Sequence, residues 1–127
     1  MSDKQLFEYA VIRLVPCVDR QEFLNVGIIL YSKPQNFLKA EFELNETRLD
    51  ALCRDTGIGE IKEHLDAFAR ICEGGETAGP IGKLSPGDRF RWLTAPRSTI
   101  VQTSPVHTGL LTDAAQTLDD LLTKMVR

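Results

Sequence analysis

Residues 97–109 carry an unusual density of hydrogen-bonding side chains for a predicted strand and turn. They supply a guanidinium, several hydroxyls, an amide and an imidazole, from Arg97, Ser98, Thr99, Gln102, Thr103, Ser104, His107 and Thr108. Arginine makes bidentate contacts with phosphate and carboxylate groups, and hydroxyls add short hydrogen bonds to the same oxygens. The segment therefore predicts a binding site for an anion, above all for a phosphate group.

Two residues from the N-terminal part of the chain can join this candidate site. Arg13 and Asn25 lie on successive predicted strands, and their side chains share a face only if the register places them opposite or two residues displaced. We expect both guanidiniums and the imidazole to meet over one side of the sheet. The candidate ligand-binding residues are Arg13, Asn25, Arg97, Ser98, Thr99, Gln102, Ser104, His107 and Thr108.

A purely structural explanation of the same residues stays open. Threonines favour strands on their own account, because a β-branched side chain fits a pleated surface. Arg97 can pair with Glu8 or Glu41 instead of a ligand. Residues 107–109 can form a turn in which the polar side chains bond their own backbone.

The sequence contains no complete catalytic set. His107 and Thr108 resemble part of a two-histidine phosphoesterase motif, but the spacing differs and His64 has no matching threonine. The cysteines at positions 17, 53 and 72 have no histidine nearby and no metal-ligand spacing, so they are predicted to be free thiols. We therefore predict no catalytic residue, no metal and no cofactor.

The elements that must position the candidate site begin with a hairpin. Residues 6–15 and 22–31 are rich in β-branched and aromatic residues and are apolar on both faces, which predicts two central strands. Residues 37–44 alternate cleanly between apolar and polar, which predicts a third strand nearer an edge. A fourth strand is predicted over residues 98–104, followed by a turn over 105–109. Gly27 indicates a β-bulge, a close packing contact or a ligand contact.

Helices are predicted where the apolar period changes. Asn45 is a plausible N-cap for a short helix, residues 59–72 carry an apolar stripe, and Ser85 with Pro86 begins another short helix. Residues 113–126 have a capping pattern and a stripe of leucines. The predicted fold class is α+β, with an antiparallel sheet of about four strands and helices mainly on one face. The sheet is an N-terminal meander plus a strand from the C-terminal half, in a single domain over residues 1–127.

Composition narrows the functional classes. The net charge of −3 and the pI near 5.4 disfavour a general nucleic-acid binder, which usually has a basic face. The N-terminus lacks the basic and apolar regions of a signal peptide, and no apolar run approaches the roughly 20 residues of a membrane span. We expect a cytoplasmic protein that does not contact membranes.

Residues 9–16, 22–31 and 97–109 resemble a bacterial family of uncharacterised proteins, domain of unknown function 3037. The resemblance covers nearly the whole chain and implies no activity. Because members of this family often lie beside a HipA-like kinase in genomes, it implies such a kinase as a protein partner. Cys17 stands where the family commonly has an acidic residue, which argues against a catalytic role for Cys17.

Two functions follow from these observations. The first is a non-enzymatic partner or adaptor domain, working with a HipA-like kinase or as a homodimer whose second copy covers an apolar face of the sheet. The alternative is binding or hydrolysis of a nucleotide or another phosphorylated small molecule through the Arg/Asn/Gln/His cluster.

Overall fold

A computed structural model of the chain describes residues 4–15, 22–52, 58–97 and 99–127. Within these residues the fold is α+β, as predicted. The elements in chain order are β1 (Gln5–Leu14), β2 (Leu24–Ser32), β3 (Phe37–Phe42), α1 (Glu46–Leu52), α2 (Ile58–Glu73), two short 3₁₀ turns (Glu76–Ala78 and Pro80–Lys83), α3 (Pro86–Leu93), β4 (Val101–Thr103), β5 (His107–Leu111) and α4 (Ala114–Met125). None of the helices in the described residues has the length and apolar character to cross a membrane.

The sheet is antiparallel, with the strand order β3-β2-β1-β4, and β5 also pairs with β1. Both β4 and β5 pair with β1: Leu14 faces Val101, while Tyr9 faces His107. They therefore form two halves of one interrupted edge strand. The meander of the first three strands and the extra strand from the C-terminal half agree with the sequence prediction.

The predicted turn over residues 105–109 is wrong, because β5 begins at His107. Pro105 has no N–H, so it cannot donate to the ladder. Ser104, the residue before Pro105, bonds to β1 with both its backbone and its side chain. Its backbone N–H donates to the Val11 carbonyl at 2.8 Å, and its side-chain hydroxyl accepts from the Val11 N–H at 2.9 Å. The strand can therefore resume after the proline.

Helices cover both faces of the central strands. On one face of β1, Ala10, Ile12 and Leu14 pack with residues from α1, α2 and α3. On the other face, Phe7 and Val11 pack against the leucine stripe of α4. This packing confirms that the hairpin is central, and the helices cover most of the apolar faces of these strands, apart from the exposed Leu6 at the start of β1.

Gly27 marks a close approach between strands. The pairing of β1 with β2 shifts next to it, since Ile12 faces Gly27 but Arg13 faces Asn25. A Cβ atom at Gly27 would lie 2.4 Å from the backbone oxygen of Glu41 and 2.9 Å from the Phe42 ring. Of the three explanations for this glycine, the bulge and the packing contact are the ones found.

The predicted helix starts are confirmed at three N-caps. The side chains of Asn45, Ser85 and Asp113 each accept a hydrogen bond from the backbone N–H three residues later. Each bond satisfies one of the amide groups that a helix leaves free in its first turn. These three helices therefore begin where the sequence signals predict.

We predict that Gly27→Ala lowers the free energy of unfolding by about 1–3 kcal/mol, because backbone and ring atoms must move to admit the methyl group. Gly59→Ala is the matched control: no atom lies within 4 Å of its added Cβ, and the change within α2 should raise stability by at most about 1 kcal/mol. Urea unfolding of the three proteins measures both effects. Equal stability of the two variants would contradict the close approach.

Candidate functional site

The structure places the predicted site residues in three different surroundings. Arg13 lies directly opposite Asn25 on β2 and Gln102 on β4, so these positions form a row across three strands. Arg97 and Thr99 border a cleft beneath α2 and α3. Ser104, His107 and Thr108 belong to the edge strand, and Ser98 lies outside the described residues.

Asn25 ties α4 to the sheet. Its side-chain Nδ2 donates to the carbonyl of Met125 at 3.2 Å, and Arg48 donates to the next carbonyl, that of Val126, also at 3.2 Å. Arg127 pairs with Glu43 at 2.5 Å. The bonds from Asn25 and Arg48 satisfy carbonyls that the end of a helix leaves free. They give Asn25 a structural role at the C-terminal end of α4.

Arg13 packs on an aromatic ring. Its guanidinium carbon lies 4.1 Å from the centre of the Phe23 ring, a cation–π contact. Its Nε and the Oδ1 of the facing Asn25 are both buried and have no hydrogen-bond partner within the described residues. Arg13 and Asn25 do meet, in one of the two registers that the sequence allows.

The edge-strand residues have local partners. Ser104 is buried and bonds the backbone of Val11. The imidazole of His107 lies 5.3 Å from the ring of Tyr9, whose side chain packs on the α4 side of the sheet. Thr108 lies opposite Glu8. The structure therefore separates His107 from Arg97, which borders the opposite side.

The predicted pairing of Arg97 with Glu8 or Glu41 is wrong. Glu8 accepts two hydrogen bonds from Arg91, at 2.6 and 2.8 Å. This bidentate contact raises the pKa of Arg91. Glu41 pairs with Lys39 at 3.2 Å. Both carboxylates thus have cationic partners other than Arg97.

The cleft that Arg97 borders has a volume of about 250 Å³ and lies between α2, α3 and β4. Apolar side chains form most of its walls: Ala67, Phe68, Ile71, Trp92, Leu93, Ala95 and Val101. The polar residues that border it are His64, Arg97, Thr99, Gln102 and Thr103. An apolar concave surface with a few polar groups is the usual form of a small-molecule site.

Arg97 is a cation without an anionic partner among the described residues. Its guanidinium carbon lies 3.9 Å from the centre of the Trp92 ring, and Nη2 donates to the Trp92 carbonyl. Burial lowers the pKa of Arg97, because desolvation disfavours the charged form. No carboxylate of the described residues forms an ion pair with it. An anion entering the cleft would supply this missing partner.

Three of the other polar side chains that border the cleft are already bonded to the backbone, and the fourth, His64, lies 3.9 Å from Glu60. Thr99 donates to the carbonyl of Val101 at 2.7 Å, and Gln102 donates to that of Thr99 at 2.9 Å. Thr103 lies 3.4 Å from the carbonyl of Thr94. These bonds fix the path of the chain into β4, in line with the structural explanation that the sequence left open.

Sequence reasoning missed the apolar part of this cleft. The sequence predicts a helix over residues 59–72 and a short helix after Ser85, but nothing local predicts that Phe68, Ile71 and Trp92 border one cleft with Arg97. The one available signal was the sole tryptophan of the chain, five residues before an arginine. Aromatic rings and guanidiniums often stack, so this pair was a reasonable candidate for contact.

A second surface feature lies at the edge of the sheet. Within the part of the chain that the structure describes, β5 pairs with β1 and with no other strand. Its sequence has no lysine, proline or acidic residue, and these are the residues that usually prevent an edge strand from pairing with another chain. Leu110 is 62% exposed and lies directly opposite Leu6, which is 55% exposed. The other edge, β3, carries the Lys39–Glu41 ion pair.

The remaining groups with catalytic potential are few in the described residues. Cys72 is a buried free thiol, and burial raises its pKa to about 12, so it is protonated at neutral pH. Cys17 and Cys53 lie outside the described residues. No cluster of three or more histidine, cysteine or acidic side chains that could hold a metal occurs in the described ranges.

Comparison with known proteins adds one match. The family model described as "Protein of unknown function (DUF3037)" matches residues 9–126, nearly the whole chain. No curated protein and no solved structure matches.

We predict that Ser104→Ala lowers the free energy of unfolding by about 1–3 kcal/mol, because the buried Val11 N–H loses its acceptor. Thr108→Ala, an exposed change on the same edge strand, should stay within about 0.5 kcal/mol of wild type. Thermal unfolding ranks the variants, and amide hydrogen exchange at Val11 should accelerate only in Ser104→Ala. Unchanged amide exchange at Val11 would show that the Ser104 hydroxyl does not stabilise the strand pairing beside Pro105.

Proposed function

We propose a function for this chain, which belongs to the family described as "Protein of unknown function (DUF3037)". The chain is a non-enzymatic partner or adaptor domain. Its binding surface is the free edge of β5 together with the exposed leucines beside it, which we name the β5 edge surface (Leu6 and His107–Leu111). The observation that carries this proposal is a directly paired, solvent-exposed couple of leucines, Leu6 on β1 and Leu110 on the edge strand β5, which has no charged residue.

An edge of this kind suits an added strand. The outer N–H and C=O groups of an edge strand can form a ladder with an extended peptide, and side chains on alternate positions supply specificity. Leu6 and Leu110 would accept apolar side chains on one face of that peptide, because directly paired residues point to the same side. Leaving such leucines in water is otherwise unfavourable, since apolar surface gains free energy by burial.

The occupant that fits is an extended segment of another protein. The Pro105 break limits the free strand to five residues, His107–Leu111. A pair of five-residue strands from two copies is small beside the roughly 1,200–2,000 Å² that stable protein interfaces bury. A peptide segment needs only a short strand to dock, and the rest of its protein can add further contacts.

The family resemblance implies which partner to test. That resemblance implies members that often lie beside a HipA-like kinase in genomes, and we propose such a kinase as the protein that supplies the segment. The apolar sheet face that first suggested a homodimer is covered by α1–α4, so a second copy is the less favoured occupant.

The Arg97 cleft supports a second candidate function, the binding of a nucleotide or another phosphorylated small molecule. One observation favours it: the half-buried Arg97 guanidinium has no carboxylate partner in the described residues. This candidate no longer draws on the whole set of predicted residues. Arg13 and Asn25 meet elsewhere, and His107 lies on the other side of the sheet.

We predict that Leu6→Lys and Leu110→Lys each weaken binding of the HipA-like kinase from the same genome by about tenfold or more. The lysine would either bury a charge in the interface or lose the apolar contact that the leucine makes with the partner. Leu84→Lys is the matched control, because Leu84 is also an exposed leucine, 39% accessible, but lies just before α3. Titration of the purified kinase by calorimetry measures the affinities.

The outcomes separate the occupants. Loss of kinase binding in both edge variants, with Leu84→Lys unchanged, supports the proposal. Kinase binding that none of the three changes alters would contradict it. Light scattering of the free protein completes the test: a dimer that Leu110→Lys converts to a monomer would assign the β5 edge surface to a second copy instead.

A further inference from the structure

The Arg97 cleft combines a charged group with an apolar wall. The guanidinium carbon of Arg97 lies 3.9 Å from the centre of the Trp92 ring, and Phe68, Ile71 and Val101 are among the apolar residues lining the cleft. A small, fully polar anion such as inorganic phosphate would satisfy the arginine and leave this wall in contact with water. A neutral apolar molecule would cover the wall and leave the cation without a partner.

We propose that this cleft binds a small amphiphilic anion, a carboxylate or phosphate head group on an apolar body. The head group lies against Arg97, and the apolar body lies along α2 and β4. This inference rests on the second candidate function and deepens it, because it names the class of ligand. It is independent of the β5 edge surface.

The position of Arg97 suits such a head group. A guanidinium has five N–H donors in one plane, and stacking on an aromatic ring leaves the edges of that plane available. Of these donors, one bonds the Trp92 carbonyl. The others can form a bidentate contact with a carboxylate or phosphate, and the stacking limits the rotation of the side chain before the ligand arrives.

The same geometry disfavours a nucleotide. A base and a ribose need several hydrogen-bonding partners, but Thr99 and Gln102 already donate to backbone carbonyls. The ring of Trp92 is the largest aromatic surface available for stacking, and Arg97 occupies one of its faces. The apolar walls offer contact area to an alkyl or aryl group but no partners for sugar hydroxyls.

Trp92 makes the test direct, because it is the only tryptophan in the sequence and it borders the cleft. Its emission is recorded during titration with octanoate, with octanol as the neutral analogue and with AMP as the polar anion. Octanoate should change the emission in a saturable manner and raise the melting temperature. It should bind about tenfold or more tightly than octanol, as a charge-assisted contact requires. AMP should bind more weakly than octanoate.

Three variants locate the site. Arg97→Met should abolish the preference for octanoate over octanol, while Ala67→Leu, which fills the cleft from α2, should weaken both ligands. Arg48→Met is the matched control, because Arg48 is also an arginine bonded to a backbone carbonyl, that of Val126, and it does not border the cleft. Its affinity for octanoate should equal that of wild type.

Each of the other possible results contradicts one part of this proposal. Saturable binding of AMP without binding of octanoate would overturn the amphiphile while keeping the Arg97 anion site. Binding of none of the three probes to the folded protein would overturn both. Octanoate binding that persists in both Arg97→Met and Ala67→Leu would place the ligand outside the cleft.

Discussion

The backbone of β1 must be satisfied on both sides while its side chains are buried on both faces, and the rest of the structure depends on this constraint. On one side the strand pairs with β2 over Glu8–Leu14, and on the other it pairs with β4 and β5. A buried N–H without an acceptor costs about 1–3 kcal/mol. The break at Pro105 would expose β1 to that cost, and the Ser104 hydroxyl removes it at Val11.

The packing of helices on this central strand leaves two surfaces of the sheet exposed. Because α1, α2 and α3 pack on one face and α4 on the other, the apolar faces of the hairpin are closed within one chain. What stays open lies at the margins of the sheet: the β5 edge surface at one end of the edge strand and the Arg97 cleft near β4 at the other.

The two halves of the edge strand thus differ in chemistry. β5 offers backbone groups and leucines, which suit an extended peptide, whereas the approach to β4 offers a stacked guanidinium above apolar walls, which suits a small anion. The Ser104–Pro105 break separates these halves, so one short interruption of the ladder determines the length of each surface. Interruptions of this kind are common at sheet edges beside functional sites.

Local signals in the sequence determined the fold class, the central hairpin, the meander and the helix starts at Asn45, Ser85 and Asp113. These features depend on apolar period and on hydrogen bonds within three or four residues, which a sequence displays directly. Tertiary structure alone decided which polar groups meet. Arg13 and Asn25 came together through strand register, while Arg97, before β4, borders a cleft with α2 and α3, and His107, on β5, lies beside Tyr9 on the α4 side of the sheet. The partner of Glu8, Arg91, lies on α3, 83 residues away in the chain, and no local pattern encodes such a contact.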